Sequence, residues 1–210
     1  MEISEEVVQR LHRARGTVYE MLKDRGYTLK TQPCSLIEFQ RRLVLQPKDQ
    51  LLKSLMIRGY GGRRPVLAFF CPLAKIGIGI VRDLVAVCEE LKVAHAIVIY
   101  EGSITPFAMQ NLQEISKQPD SGLSRVETFT FNDLQINPTH HVLVPKHRLL
   151  SSKATTAKLA ERNLTLTDLP RMLPTDAIAR YYGAHRGSLF CIDRKSPEGM
   201  MVEALRVVSG

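Results

Sequence analysis

Leu169-Pro-Arg-Met-Leu-Pro-Thr-Asp-Ala-Ile-Ala-Arg-Tyr-Tyr-Gly-Ala-His-Arg-Gly187 encodes a short helix between two turns, with a strand to follow. A side-chain oxygen at Thr175 or Asp176 is suited to satisfy the free amides of the helix's first turn. Ile178, Tyr181 and Tyr182, spaced three and four apart, form a single apolar stripe. Gly183 stands where a left-handed C-terminal cap belongs, and Arg180 lies near the negative end of the helix dipole. Gly187 turns the chain into the strand Ser188-Leu-Phe-Cys-Ile-Asp193. Pro197-Glu-Gly199 then separates it from a second apolar run, Met200 to Val208. A small helix-plus-hairpin unit is therefore expected at the C-terminus.

Working back toward the N-terminus, the pattern changes to that of an α/β layer. Asn137-Pro138, after a polar stretch, marks the expected boundary between a domain over 1–137 and one over 138–210. In the first domain Ser4 caps a long helix. Ile3 and Val8 form a hydrophobic staple, and Val7, Val8, Leu11, Val18, Met21 and Leu22 recur at helical spacing up to Gly26. A short amphipathic piece over 36–43 directs Phe39 and Leu43 inward. Leu55-Met-Ile57 and Val66-Leu-Ala-Phe-Phe-Cys71 read as strands around the turn signal Gly59-Tyr-Gly-Gly62. A helix over 79–91 puts Ile80, Leu84, Val85, Cys88 and Leu91 on one face. Ala94 to Tyr100 is a continuous apolar run, as for a strand covered on both sides. Thr105 and Pro106 open the next helix, with Ala108, Leu112 and Ile115 inward, and Val126–Thr130 is the next strand. Lys153–Arg162 is a largely polar helix of the second domain. The fold class expected is mixed α/β (α+β) in two domains.

Composition narrows the classes of function. The 210 residues, 44% hydrophobic, suffice for a real core, and no run approaches the roughly 18 apolar residues that span a bilayer. The N-terminus Met-Glu-Ile-Ser-Glu-Glu is not a signal peptide, so an intracellular protein is expected. Cys34, Cys71, Cys88 and Cys191 have no zinc-ligand spacing and read as buried free thiols. The net charge of +8 is uneven. Residues 1–64 carry 13 Lys/Arg against 7 Asp/Glu, residues 65–139 carry 5 against 8, and residues 140–210 carry 11 against 6. Basic ends suit an acidic partner such as DNA, and they equally suit plain solvated surfaces.

No catalytic constellation is legible. Lys75-Ile-Gly-Ile-Gly-Ile80 lacks the third glycine of a dinucleotide fingerprint and the Gly-Lys-Ser/Thr of a triphosphate loop, so it reads as a turn into a helix. The apolar strands carry no paired carboxylates, which leaves a nuclease metal nothing to bind. His140, His141, His147 and His185 have no acidic or cysteine companion at ligand spacing. His141 is expected at a strand start, hydrogen-bonded to backbone. No Ser or Cys stands in a nucleophile elbow. No cofactor, metal or catalytic residue is expected. Thr105-Pro106-Phe107 stands apart, because a helix N-terminus at the carboxyl edge of a parallel sheet presents free amides to an anion. Taken by itself, the same triplet is an ordinary helix start. Arg180, Tyr182, Arg186 and Arg206 are suited to an interface core, while Tyr181 and Tyr182 equally suit the core of the small domain.

The wording Leu-Pro-Arg, Asp, Ala-Arg-Tyr-Tyr-Gly, Arg-Gly between Leu169 and Gly187 resembles the fifth common subunit of eukaryotic nuclear RNA polymerases, whose C-terminal part has a small archaeal polymerase counterpart. His141-Val-Leu-Val-Pro-Lys-His147 resembles the start of that module. Thr17-Val-Tyr-Glu-Met-Leu-Lys-Asp-Arg-Gly-Tyr27 and Ile104-Thr-Pro-Phe-Ala108 resemble its N-terminal jaw domain. The resemblance implies a nuclease-like α/β jaw followed by a small assembly domain, in a non-catalytic nuclear polymerase subunit. It further implies that Thr105, Pro106 and Phe107 face downstream duplex DNA. The C-terminal domain, with His141, Arg180, Tyr182, Arg186 and Arg206, would dock on the largest polymerase subunit, and no membrane is involved. A stand-alone, non-catalytic DNA-binding regulator on the same fold is the alternative. The sequence departs from the family at Phe107, where a small polar residue is usual, and at Ala177, where proline follows the aspartate. It departs again in the shortened Arg194-Lys-Ser-Pro-Glu-Gly199 loop and at Leu205-Arg206, where the family has Tyr-Arg.

Overall fold

The computed structural model describes residues 4–45, 50–61, 65–117, 123–196 and 198–210. Ile3 of the expected staple, Gly62 of the turn signal and Pro197 of the last loop lie outside these residues. The chain divides into two compact units, Met1–Ile136 and Asn137–Gly210.

The first unit is built on strand β3 (Val66–Cys71), every residue of which is buried. β3 pairs in parallel with β5 (His95–Tyr100), and β5 in parallel with β7 (Arg125–Thr130). Antiparallel β2 (Ile57–Tyr60) and the two-residue β1 (Thr28–Leu29) complete a sheet of order β1-β2-β3-β5-β7. Parallel neighbours need crossover connections, and helices α4 (Ile78–Glu90) and α5 (Pro106–Lys117) supply them. Leu67, Phe69 and Cys71 join Ala96 and Val98 in one cluster with Val81, Leu84 and Cys88 of α4 and Ala108 and Leu112 of α5. The alternate residues Val66, Ala68, Phe70, Ile97 and Ile99 are equally buried. They point to the other face, where Arg15 of helix α1 (Glu5–Asp24) lies over the Phe70 ring. Burying a side chain of this size contributes ~1.5–3 kcal/mol, so strands covered on both faces dominate the core.

Helix α1 begins where Ser4 accepts from the Val7 amide at 3.4 Å. It ends in a paired cap: Gly26, at φ 85°, donates to the Lys23 carbonyl and Tyr27 donates to the Leu22 carbonyl, both at 2.9 Å. Helix α2 (Leu36–Leu45) buries Phe39 and leaves Leu43 half-buried.

Three expectations are corrected in this unit. Of the expected strand Leu55-Met-Ile57 only Ile57 lies in one, and Gly59 and Tyr60 of the expected turn continue it as β2; helix α3 (Leu51–Leu55) precedes it, because the leucines at 51, 52 and 55 follow helical spacing and Met56 closes the turn. The inward face of α4 includes Val81, which is deeply buried, whereas Val85 is only half-buried. Cys34 is half-exposed, unlike the other three thiols. Burial pushes the Cys71 and Cys88 thiols up to about 11, so both stay protonated and unreactive.

At the other edge of the sheet an ion network ties α1 to the parallel strands. Arg25 holds both oxygens of Glu127, at 2.9 and 3.1 Å, and His95 and Arg125 reach the same carboxylate at 2.8 and 3.0 Å. Burial by itself would raise the Glu127 pKa. The His95 hydrogen bond and the two guanidinium groups outweigh it and hold the carboxyl at about 2.

The second unit is a four-stranded sheet of order β8-β10-β11-β9, comprising β8 (Lys146–Leu149), β9 (Arg171–Met172), β10 (Leu189–Lys195) and β11 (Met201–Val208). β10 is antiparallel to β8 and β11, and β9 is parallel to β11. Helix α6 (Ser152–Glu161) lies beyond β8, capped by Ser151. Asp176 caps helix α7 (Ala177–Tyr181), accepting from the Ile178 amide at 2.8 Å. Gly183, at φ 61°, donates to the Arg180 carbonyl, and Ala184 donates to that of Ala179. The strand expected to start near His141 begins at Lys146 instead. Asn137 caps a single turn over Pro138–His140 that His141 closes, and Pro145 has no amide to give a ladder.

Because the folded pKa of Glu127 lies below its ordinary 4.5, the stability it adds is complete above pH 4.5 and is lost as pH falls toward about 2. Urea unfolding as a function of pH should show this loss in the native chain and a shallower one in Glu127→Gln. At neutral pH Glu127→Ala, which strands Arg25, should cost about 3–5 kcal/mol.

Candidate functional site

The carboxyl edge of the parallel strands is assembled by two short pairings. β4 (Lys75–Ile76) and β6 (Ser103–Ile104) run parallel, with Lys75 opposite Ser103 and Ile76 opposite Ile104. Ser103 donates to the Ala74 carbonyl at 3.1 Å and Thr105 to that of Ile76 at 3.0 Å. The approach is close enough to require glycine at 102, since a Cβ there would stand 1.9 Å from the Ala74 oxygen.

This pairing sets the first turns of α4 and α5 side by side. Gly77 caps α4 with no side-chain hydrogen bond, and neither first turn carries an acidic residue. The Thr105 hydroxyl accepts from the Ala108 amide at 3.3 Å, Pro106 opens the helix, and the Phe107 ring is 62% exposed. Lys75 is exposed beside them. Glu101, the acid in this loop, is engaged by Arg10 through Oε1, while its Oε2 is buried with no hydrogen-bond partner. Two partly positive helix ends, a lysine and an exposed ring together suit an anionic chain lying across the edge. The Lys75–Ile80 segment is thus a helix entry, and it belongs to the same edge as Thr105.

In the second unit, register puts Arg206 opposite Phe190 and therefore on the same face of the sheet. Tyr182 packs edge-on against Phe190 with centroids 5.8 Å apart. Tyr181 is buried, and its hydroxyl accepts from Asn137 at 3.1 Å. Arg180 lies half-buried on α7, and the turn that His141 closes packs against that helix. Arg186 is exposed in the turn leading to β10. His141 Nδ1 accepts from the Leu143 amide at 3.2 Å. Tyr182 and Arg206 thus share one sheet face, Arg180 and His141 flank it through α7, and Arg186 lies apart on a turn. Val142 and Leu143 beside His141 are strongly exposed, at 93% and 82%.

The opposite face holds a charged cluster that sequence reading missed. Glu203 accepts from Lys158 and Arg162, both at 2.7 Å, and from the Cys191 thiol at 2.8 Å. Its pKa is pulled down to about 2, by the thiol first and then by Lys158, while burial and this bond push Cys191 up to about 11. Cys191, Asp193 and Glu203 form the one group of three potential metal donors among the described residues. The Arg148 guanidinium stands among them, 3.0 Å from Asp193 and 3.3 Å from both Glu203 and Cys191, so this donor set is already satisfied by a cation of the chain. The available signal was a lone glutamate within the apolar run Met200–Val208, which only the register of β10 on β11 brings to Cys191.

Comparison with known proteins identifies the family of the chain. The family described as RNA polymerase Rpb5, N-terminal domain, matches residues 5–88, and RNA polymerase Rpb5, C-terminal domain, matches residues 136–208. The Dictyostelium discoideum protein named DNA-directed RNA polymerases I, II, and III subunit rpabc1 is 31% identical, covering 91% of this chain and 93% of its own length. An Arabidopsis thaliana protein named DNA-directed RNA polymerase subunit 5-like protein 1 is 30% identical, covering 92% and 93%. The Caenorhabditis elegans RPABC1 subunit is 30% identical, covering 89% and 90%. A two-unit α+β chain matched over about nine-tenths of its length in this way belongs to the RNA polymerase Rpb5 family.

Gly102→Ala should force the two loops apart and lower the stability of the chain by about 1–3 kcal/mol, the usual cost of overpacking, seen as a lower midpoint in thermal unfolding. Thr105→Ala removes only the cap of α5 and should cost about 1 kcal/mol in the same measurement.

Proposed function

We propose that this chain is a non-catalytic subunit of a nuclear DNA-directed RNA polymerase. Its N-terminal unit forms part of a lower jaw beside downstream duplex DNA, and its C-terminal unit fixes it to the largest subunit. The observation that carries the reading is the match of both family domains, in order, along a chain whose relatives are named as polymerase subunits.

The DNA side draws support from the carboxyl edge. Backbone amides and Lys75 offer charge without a base-reading element, which suits sequence-independent contact with phosphates. Thr105, Pro106 and Phe107 are the residues assigned to it, with Phe107 giving an apolar contact where the family has a small polar one. The docking side draws support from the α7 face, where aromatic and guanidinium side chains are combined as in interface cores. His141, Arg180, Tyr182, Arg186 and Arg206 are assigned to it. The non-catalytic role draws support from the donors themselves. The Cys191, Asp193 and Glu203 set is held by Arg148. A stand-alone DNA-binding regulator is not favoured, because the relatives named as polymerase subunits match over about nine-tenths of the chain.

Affinity purification of the tagged protein at moderate salt after nuclease treatment should recover the two largest subunits of a polymerase. Recovery with no polymerase subunit overturns the reading. In the recovered enzyme a photo-crosslinker at position 107 should label downstream duplex DNA, with labelling insensitive to its sequence. Tight, salt-sensitive DNA binding by the isolated chain would instead favour the regulator.

A further inference from the structure

The α1 face that carries His12 and Arg15 meets α2 around a cavity of about 80 Å³, also lined by Gly16, Cys34 and Phe39. That is well above the ~10–15 Å³ a single water needs. The Arg15 guanidinium lies between two rings, 5.4 Å from the centre of Phe39 and 5.3 Å from that of Phe70. It donates to the Leu55 carbonyl and has no carboxylate partner among the described residues. The contrast with Arg25, which is held by both oxygens of Glu127, is direct.

Taking a guanidinium out of water is costly unless its donors and its charge are met. One carbonyl and two ring faces meet part of that need, and the remaining N–H groups of this half-buried five-donor fork stay open to solvent beside the cavity. Burial pulls the Arg15 pKa down to about 10, and Arg42, itself paired with Glu38, adds a second positive charge nearby. His12 supplies no anion, since an imidazole is neutral or cationic, and its Nε2 donates to the Cys34 carbonyl at 2.8 Å. The cavity wall is opened by Gly16, a glycine in mid-helix that costs about 1 kcal/mol relative to alanine. A Cβ at that position would meet nothing within 4 Å. The cavity is lined by Tyr19 and Phe39 beside the guanidinium, and a carboxylate is flat and matches the guanidinium fork in two parallel hydrogen bonds.

We propose that this cavity is a receptor for an acidic side chain, an Asp or Glu of a partner protein segment, whose carboxylate pairs with Arg15. It lies apart from the Thr105 edge, so it gives the first unit a separate protein contact.

Cys34, the half-exposed thiol at the cavity rim, reports occupancy. In the full chain, the rate of Cys34 alkylation by neutral iodoacetamide is followed by mass mapping, with the three buried cysteines as unreactive controls for folding. The capped peptide acetyl-Gly-Glu-Gly-amide should slow the reaction several-fold relative to acetyl-Gly-Gln-Gly-amide at equal ionic strength. The protection should vanish in Arg15→Met and in Gly16→Leu. The latter fills the mouth while improving helix propensity, so it keeps the test valid if Arg15→Met does not fold. Equal rates with the two peptides, or protection that persists in the folded variants, would overturn the proposal. Stronger protection by inorganic phosphate than by the glutamate peptide would overturn the carboxylate assignment.

Discussion

Parallel pairing of Val66–Cys71 with His95–Tyr100 is the constraint on which the N-terminal unit depends. Both strands are apolar on their two faces, so neither can meet water, and helices must cover both sides. That requirement brings α1 to one face and α4 and α5 to the other. It also sends both crossover loops to the same carboxyl edge, where Ala74 and Gly102 meet. The candidate DNA-facing edge is thus a by-product of the packing that makes the core. Its geometry is held by backbone hydrogen bonds between loops, which fix a surface more firmly than long side chains would.

Charge is handled in contrasting ways within that unit. Glu127 is buried and is met by His95, Arg25 and Arg125, so its carboxylate is kept ionised far below the usual range. Its work is structural, tying the end of α1 to β5 and β7. Arg15 is half-buried, and a carbonyl and two aromatic rings are what it finds. A fully met charge stabilises the fold, whereas a partly met one beside a cavity is open to a ligand.

The C-terminal unit has a two-faced sheet, and each face is satisfied differently. One packs Phe190, Ile192 and Val208 against α7, with Tyr182 at its margin. The other is apolar at Leu189, Leu205 and Val207, then turns polar where Glu203 gathers Lys158, Arg162, Arg148 and the Cys191 thiol. The polar cluster meets its own needs internally. Aromatic and guanidinium groups around α7, with exposed Val142 and Leu143 nearby, leave that side better suited to a protein partner.

Much of this was legible in the sequence. Long periodic segments declared themselves: α1 from Ser4 to Gly26, the apolar strands, and α7 with its Asp176 and Gly183 caps. These signals are local, since capping and periodicity act over a few residues. The family itself was legible, because its wording is spread along the whole chain. The two-residue strands β1, β4, β6 and β9 were not, since a pair of residues has no period and exists only because a neighbouring loop arrives beside it. Leu55 ends a helix and Met56 connects it to β2, where the local pattern reads as strand, and His141 precedes its strand, because a few residues around one apolar cluster fit either period. Thr105 was found as a helix start, but its pairing to the Lys75 loop was set by β3 and β5 lying in register. Glu203 and Cys191, and Arg15 between Phe39 and Phe70, are distant in sequence. Sequence by itself determined the elements and the lineage. Tertiary structure decided which charges are met within the chain and which are not, because electrostatic pairing depends on distance in space and on exclusion from water.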